Sequence, residues 1–408
     1  MRPVAVSGDR RVRGLARGVG GLLLAVVPLS GAPLAEPGAD DPCRWSVSER
    51  ARWGSVDGPD ALAPVAAGAL APSEDAVLIA EPAAHRVRLF DLEGGELRSI
   101  GRDGVGPGEF RSPALTGFFG DDVWVWDLLL GRLSFISAST GRFLDSRALP
   151  TGGRAAALAD GSALYVARTP PAGALQERLV SRVPESVRDP AEGDTLHVMS
   201  VEAGTLQIRS GEVTRTARQP FSDDPLWGAA PNGRWAVVLD RRTLGDPEAT
   251  LMSLHAWRSG AEEPELIEVP YEALTLSTTQ LDSVAVAFSE SALRSIRSLG
   301  IPADPADFSP QRVREAFHQP AWTPPASALV VTSGGSAWIR TRTADRAPQG
   351  DLAPWTVVEL ESGERCRIDL PSDWQLLDAG ERIGVALTEG PFGVAQIVVF
   401  DLVRAREP

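Results

Sequence analysis

The 408-residue chain contains no lysine, so all 40 of its basic residues are arginines. That absence removes Schiff-base chemistry and any phosphate site that depends on a lysine ammonium. Histidine is scarce: His85, His197, His255 and His318 are scattered, with no metal-ligand spacing. No Ser-His-Asp or Cys-His arrangement is suggested by position along the chain. The long helical patterns that a parallel α/β sheet needs are missing, and no run beyond the N-terminal segment is long and apolar enough to cross a bilayer.

What is present is a well-apolar chain, 43% hydrophobic and 23% charged, which supports a sizeable core and argues against disorder. Forty glycines and 33 prolines suit many short strands joined by turns. The first 35 residues stand apart. Arg2, Arg10, Arg11, Arg13 and Arg17 precede a short apolar run, Val19 to Leu29, and small residues follow at Ser30-Gly31-Ala32 and Ala35. This pattern predicts a secretory signal peptide over residues 1–35, by the general route or the twin-arginine route. Cys43, preceded by Asp41-Pro42, is not in a lipid-attachment context. Cleavage would change the net charge from −14 to −18 (35 basic against 53 acidic residues). Such a chain would be repelled by nucleic acid and by anionic membrane. Export to the periplasm or the medium leaves Cys43 and Cys366 either bonded or as two free thiols.

A polar or glycine turn followed by a short apolar strand recurs six times, in SEDAVLIAE, GDDVWVWD, DGSALYVAR, PNGRWAVVLD, GGSAWIRT and AGERIGVALT. Aligning Ile79, Val125, Val166, Val237, Ile339 and Val385 gives steps of 46, 41, 71, 102 and 46. Strand–Gly turn–strand segments follow most copies, among them LQIRSGEVTRTA after the third. A repeat of this length with about four strands is a β-propeller blade. The expectation is therefore an all-β, six-bladed propeller over residues 36–408, with seven blades as the alternative. Blades fall at about 65–100, 113–149, 154–217, 227–270, 328–370 and 374–404. The last has room for three strands, so Trp45 to Gly54 is expected to complete it and bring Cys43 toward Cys366. Trp124, Trp126, Tyr165, Trp235 and Trp338 are read as filling between blades. The long steps hold insertions. ALQERLVSRV reads as one or two helical turns. Residues 271–326 read as largely helical, near 280–318, although Val284, Val286 and Phe288 fit a strand as well.

The clearest local feature is GRDGVGPGEF, Gly101 to Phe110, followed by Pro113; its glycines force a sharp turn between two β-units. Together with Val125-x-Asp127, Arg132-Leu133-x-Phe135 and the preceding Ile79-Ala80-Glu81 and His85-Arg86-Val87, it resembles the NHL repeat. More narrowly it resembles exported bacterial six-bladed propellers with a GPGEF loop. The resemblance is specific over residues 77–145, and the later blades lack its acid-x4-Arg signature. It implies a propeller that binds partners, with a few lyases among its relatives.

A phosphate cradle is a poor reading of this loop, because Pro107 removes an amide and a strand follows where a helix is required. Gly101, Arg102, Gly104, Gly106, Pro107, Gly108, Glu109, Phe110 and Pro113 are instead expected to form an ordered turn, with Arg102 and Glu109 bonded to each other. Glu81 with Arg86, and Asp127 with Arg132, share one spacing and are expected to cap hairpins as ion pairs. No catalytic or binding residue is assigned. No cofactor is expected, a carboxylate-bound calcium ion being the exception the acidic composition allows. The function expected is an exported, non-catalytic propeller, a monomer by default, that binds a protein, peptide or glycan through one face. The alternative is a hydrolase or lyase with a carboxylate-bound ion in the central channel. The insertions are the first place to look for a binding surface.

Overall fold

The computed structural model describes residues 43–404 apart from 59–60, 168–175, 188, 212, 242–249, 299–303, 321 and 343–351. The expected signal peptide lies outside the described residues, as do Ala174 and Leu175, the first two residues of ALQERLVSRV.

The strands form a ring of four-stranded antiparallel units, here numbered as blades in chain order. Blade one is Ala67–Leu70, Ala76–Glu81, Arg86–Asp91 and Glu96–Ile100. Blade two is Pro113–Phe119, Asp122–Asp127, Arg132–Ser137 and Phe143–Ala148. Blade three is Arg154–Ala157, Ala163–Val166, Gln176–Val183 and Asp194–Val201. Blade four is Leu226–Ala229, Trp235–Asp240, Leu251–Arg258 and Glu265–Pro270. Blade five is Ala326–Val331, Ser336–Thr341, Leu352–Glu359 and Arg365–Pro371. Blade six is Gln375–Ala379, Ile383–Glu389, Ala395–Arg404 and, as its outermost strand, Cys43–Trp53. Blades five and six merge into one eight-stranded sheet through the N-terminal strand.

The second strand of each blade carries the repeated apolar motif because it is covered on both faces by neighbouring blades. Ala76–Glu81 is buried throughout, and burial that complete needs a near-continuous apolar run rather than alternation. Outer strands alternate instead: Arg365–Pro371 buries Cys366, Ile368 and Leu370 and turns its intervening residues outward. Trp124, Trp126, Tyr165, Trp235 and Trp338 all lie in the core, as the repeat implies. A fully buried large side chain contributes roughly 1.5–3 kcal/mol relative to an exposed one, so the indoles dominate the packing between blades.

Closure is made by the N-terminal strand. It runs antiparallel to Ala395–Arg404, from Trp45 opposite Arg404 to Trp53 opposite Ile397. Its first residues run parallel to blade five, with Cys43 opposite Cys366. The two cysteines are joined as a disulfide across a Cα separation of 4.4 Å. Asp378 reinforces the seam from inside: its buried carboxylate accepts from Leu70 N of blade one at 2.8 Å and from Ser333 N of blade five at 2.8 Å. It also accepts from Ser333 Oγ at 2.7 Å and Ala379 N at 2.8 Å. Burial nonetheless pushes its pKa up to about 6.

Two expectations are corrected. ALQERLVSRV is not helical: Gln176–Val183 is the third strand of blade three, paired with Ala163–Val166 and Asp194–Val201. Blade three therefore ends at Val201, and the hairpin Thr205–Ser210/Val213–Arg218, read as its outer pair, forms a separate two-stranded sheet. The helical reading of the insertion holds: Val284, Val286 and Phe288 belong to helix α1, Thr278–Ser298. The helix starts at a reciprocal cap in which Gln280 N donates to Ser277 Oγ and Ser277 N to Gln280 Oε1. Hairpin, α1 and the short α2 (Pro310–Glu315) share a satellite core of Leu206, Ile208, Leu281, Ala285, Phe308 and Val313. The hairpin buries its apolar face there because it has no place left in the blade.

Candidate functional site

In a four-stranded blade the first strand starts, and the second ends, on the face where connections between blades emerge. The GRDGVGPGEF loop, the hairpin and the helices all leave from that face. So does a set of arginines from blades three to five: Arg154 opens the inner strand of blade three, Arg241 follows the second strand of blade four, and Arg342 follows that of blade five. Arg178 and Arg218 join them from the third strand of blade three and the end of the hairpin.

The guanidinium groups lie within electrostatic reach of one another. Burial comes first among the causes that hold all five below the usual arginine value. Repulsion from neighbouring arginines adds to it at Arg178, Arg218, Arg241 and Arg342, while Asp224 opposes it at Arg178, Arg218 and Arg241. Arg154 acts on Arg178 and Arg218; Arg218 acts on Arg241 and Arg342. Arg178 is brought to about 10 and Arg241 to about 9, so both still carry their charge at neutral pH. Arg154 and Arg218 are open to solvent although protein surrounds them, the signature of side chains that reach into a water-filled concavity.

Two of the five are committed to the fold. Arg241 Nε donates to Asp224 O at 2.9 Å and its Nη1 to Ala326 O, tying blade four to blade five. Arg178 Nε donates to Ala167 O. Among the described residues no carboxylate pairs with Arg154, Arg218 or Arg342. Asp224, whose charge acts on Arg178, Arg218 and Arg241, accepts the backbone N–H groups of Glu202, Ala203 and Gly204 at 2.7, 3.0 and 2.8 Å. Asp223 is taken by His318 Nε2 at 2.9 Å.

Two concavities adjoin the set. A channel cavity of about 270 Å³ is lined by residues from the inner strands of all six blades, with Arg154 in its wall. Among the described residues its lining contains neither a carboxylate nor an imidazole. A cleft of about 650 Å³ lies between blade five and the insertion, with Arg44, Arg340, Arg342, Gln280 and Thr323 in its wall. Arg44 is paired with Asp369 at 3.0 Å, which leaves Arg340 and Arg342 as the cationic wall.

The residues singled out from sequence lie elsewhere, at blades one and two. Gly101 has φ of +99°, and a Cβ there would meet the Phe110 ring at 2.4 Å, so only glycine fits. Phe110 is fully buried, Phe110 N donates to Arg102 O at 2.8 Å, and Gly104 N donates back to Phe110 O at 3.2 Å. Glu109 bridges Arg102 at 2.8 Å and accepts from Gly106 N at 2.9 Å, so the Gly106 amide and Arg102 hold its carboxyl below the usual range. Gly108 also takes a positive φ, Pro107 sits exposed at the turn, and Pro113 opens blade two. The loop's own groups use its amides, which leaves no anion cradle.

Glu81 pairs with Arg86 at 2.9 Å, but Arg88, which the spacing did not single out, is its deeper partner at 2.7 Å. The expected Asp127–Arg132 pair is corrected. Asp127 accepts backbone N–H groups of Arg111, Ser112, Leu129 and Leu130. Arg132 reaches the other way and donates to Val105 O at 2.8 Å, Gly106 O at 3.0 Å and Glu109 O. It clamps the glycine loop through carbonyls, because the amides of the turn at 128–130 already satisfy the carboxylate. The histidines are not all apart either. His197 of blade three and His255 of blade four meet at 4.6 Å between ring centroids.

No family model matches the chain and no curated protein does. Among solved structures it is similar to a Bacteroides fragilis protein assigned as exported, at 11% identity over 89% of this chain and 96% of that one, with a TM-score of 0.44. It is also similar to a member of the DUF4221 family from Bacteroides vulgatus (9%, 90% and 100%, TM-score 0.44). A third is the PQQ-bound aldose sugar dehydrogenase of Streptomyces coelicolor (13%, 89% and 100%, TM-score 0.40). Likenesses this distant say nothing of what the chain does.

Proposed function

We propose that the chain is an exported NHL-like β-propeller that binds an anionic peptide or glycan at the arginine-lined mouth of blades three to five. The observation that carries this reading is the convergence of Arg154, Arg178, Arg218, Arg241 and Arg342 without ion pairing to Arg154, Arg218 or Arg342. Clustered guanidiniums repel one another, and a carboxylate or sulfate in their midst relieves that repulsion while accepting bidentate hydrogen bonds. The overall acidity of the protein opposes binding of a polyanion only at long range. At physiological salt the field of distant carboxylates fades within roughly 8 Å, and the local cationic set prevails. Export is supported by the N-terminal leader pattern and by the disulfide that ties the ring.

The test is calorimetric titration of the mature, untagged protein with oligogalacturonate and with poly-glutamate, against neutral dextran. Binding to at least one polyanion, weakening as salt rises, is expected. The triple variant Arg154→Gln/Arg218→Gln/Arg342→Gln should lose at least about tenfold in affinity, since one charge-assisted hydrogen bond contributes about 1.5–3 kcal/mol. Equal affinity of the triple variant, equal affinity for dextran, or no binding of either polyanion would overturn the reading.

A further inference from the structure

Between blades three and four, His197, Asp240 and His255 bring one ligand atom each to within 4.8 Å of one another. Each arrives by strand geometry. Asp240 ends the second strand of blade four, opposite Ser253 on the third, and His255 lies one pleat further along, opposite Val238. Residues two apart share a face, so Asp240 and His255 point together toward blade three. There His197 stands on the fourth strand, two residues before the buried Met199, whose side chain packs against Val238 and Trp257 in the same interface.

The cluster is not a hydrogen-bonded network. His197 Nε2 is buried and has no hydrogen-bond partner, although a buried imidazole nitrogen ordinarily finds one. The rings of His197 and His255 tilt against each other by 45°, and Trp257 closes the site with its ring 5.9 Å from His197 and 6.1 Å from His255. Two imidazoles and one carboxylate under an indole make a donor set without the proton partners that would explain it.

We propose that His197, Asp240 and His255 bind a first-row divalent transition ion, Zn²⁺ foremost. Two nitrogen donors and one oxygen suit such an ion, whereas calcium and magnesium need more oxygen ligands than the site offers. Bonds of about 2.0–2.2 Å place ligands on a tetrahedral ion about 3.3 Å apart, so the triangle closes by roughly an ångström through side-chain rotation. Three protein ligands leave the fourth position open to water or to a carboxylate from solution. The ion would also pin blade three to blade four, adding to the apolar contacts and to hydrogen bonds such as Arg182 Nη1 to Ala261 O at 2.8 Å.

The mature, untagged protein, stripped with chelator and kept free of reductant so that Cys43 and Cys366 stay bonded, is titrated with Zn²⁺ by calorimetry. Co²⁺ in its place reports geometry through visible absorption, and Cu²⁺ reports proximity through quenching of Trp257. One ion per chain is expected, with a rise in melting temperature and a Co²⁺ spectrum of low-coordinate N/O character. His255→Gln and His197→Gln should each weaken Zn²⁺ at least about tenfold and abolish the thermal shift, and Asp240→Asn should weaken it less. His85→Ala and His318→Ala, which alter the two histidines outside the cluster, should bind as wild type does. If one histidine variant fails to fold, the other and Asp240→Asn carry the test. Zero stoichiometry, or unchanged affinity in His255→Gln or His197→Gln, overturns the proposal.

Discussion

Glu81 and Asp240 both end the second strand of their blades, yet the structure uses them in opposite ways. Glu81 is fully buried and accepts from Arg86 and Arg88 of its own blade and from Ala63 N just before it. Asp127 does likewise in blade two through backbone amides. Asp240 instead turns to the preceding blade and meets His197 there, with His255 of its own blade beside it. The same contrast holds for arginine: on the side of blades one and two, Arg86, Arg88, Arg102 and Arg132 are spent on local carboxylates and carbonyls. On the side of blades three to five, Arg154, Arg218 and Arg342 are left without carboxylate partners. A repeat fixes where a charge stands; its neighbours decide whether that charge is structural or free to bind.

The largest effect expected from breaking this contrast is at Arg88. Its guanidinium is 2% exposed, pairs with Glu81 and Glu96, and lies 4.6 Å from the Phe90 ring centroid. Arg88→Ala removes the deeper cation beside a buried carboxylate and should cost about 3–5 kcal/mol in urea unfolding. A loss below about 1 kcal/mol would mean that Arg86 alone satisfies Glu81.

Next comes Asp378, whose pKa is raised to about 6 by burial from the ordinary 3.8. Between those values the folded state holds a proton that the unfolded chain has released, so this group's contribution to stability falls as pH rises. Across the window from about pH 4 to above pH 6 the change is about 3 kcal/mol. Comparing wild type with Asp378→Asn by denaturant unfolding from pH 4 to 7 should show wild type gaining on the variant as pH falls. A flat difference would mean that the four donors keep the carboxylate ionised against burial.

Arg132→Ala should cost about 1–3 kcal/mol, through loss of the carbonyl clamp on the glycine loop rather than loss of an ion pair. Asp127→Asn then discriminates: with Arg132 still in place, the loop clamp survives and exchange protection of the Gly104 and Phe110 amides should persist, whereas Arg132→Ala should lower it. Smallest of all, Arg218→Gln should change stability by no more than about 0.5 kcal/mol in either direction, because it removes attraction to Asp224 together with repulsion from Arg154 and breaks no ion pair. A loss comparable to that of Arg132→Ala would show that Arg218 serves the fold, and the contrast between the two sides would collapse.

Much of the fold was legible because the repeat is local. Six apolar strands bounded by turn residues, and a last unit short of one strand, point to a ring closed by the N-terminus, since a blade alone cannot cover both its faces. Gly101 was legible for the same reason, as its positive φ is a property of the turn itself. Arg88 was missed because its distinction is burial, and nothing in VRLF separates it from the arginine two residues before it. Gln176–Val183 was misread because ALQERLVSRV has strong helix formers, and pairing on both sides overrode that preference.

By itself, then, the sequence determined the class of fold, the place of the helical insertion and an address outside the cytoplasm as an expectation, because periodicity, turn chemistry and leader composition are carried by neighbouring residues. Only the tertiary structure decided that Arg154, Arg178, Arg218, Arg241 and Arg342 share one mouth, and that His197 and His255, 58 positions apart, face each other. Such sites are assembled across blades, where distance along the chain carries no information about distance in space.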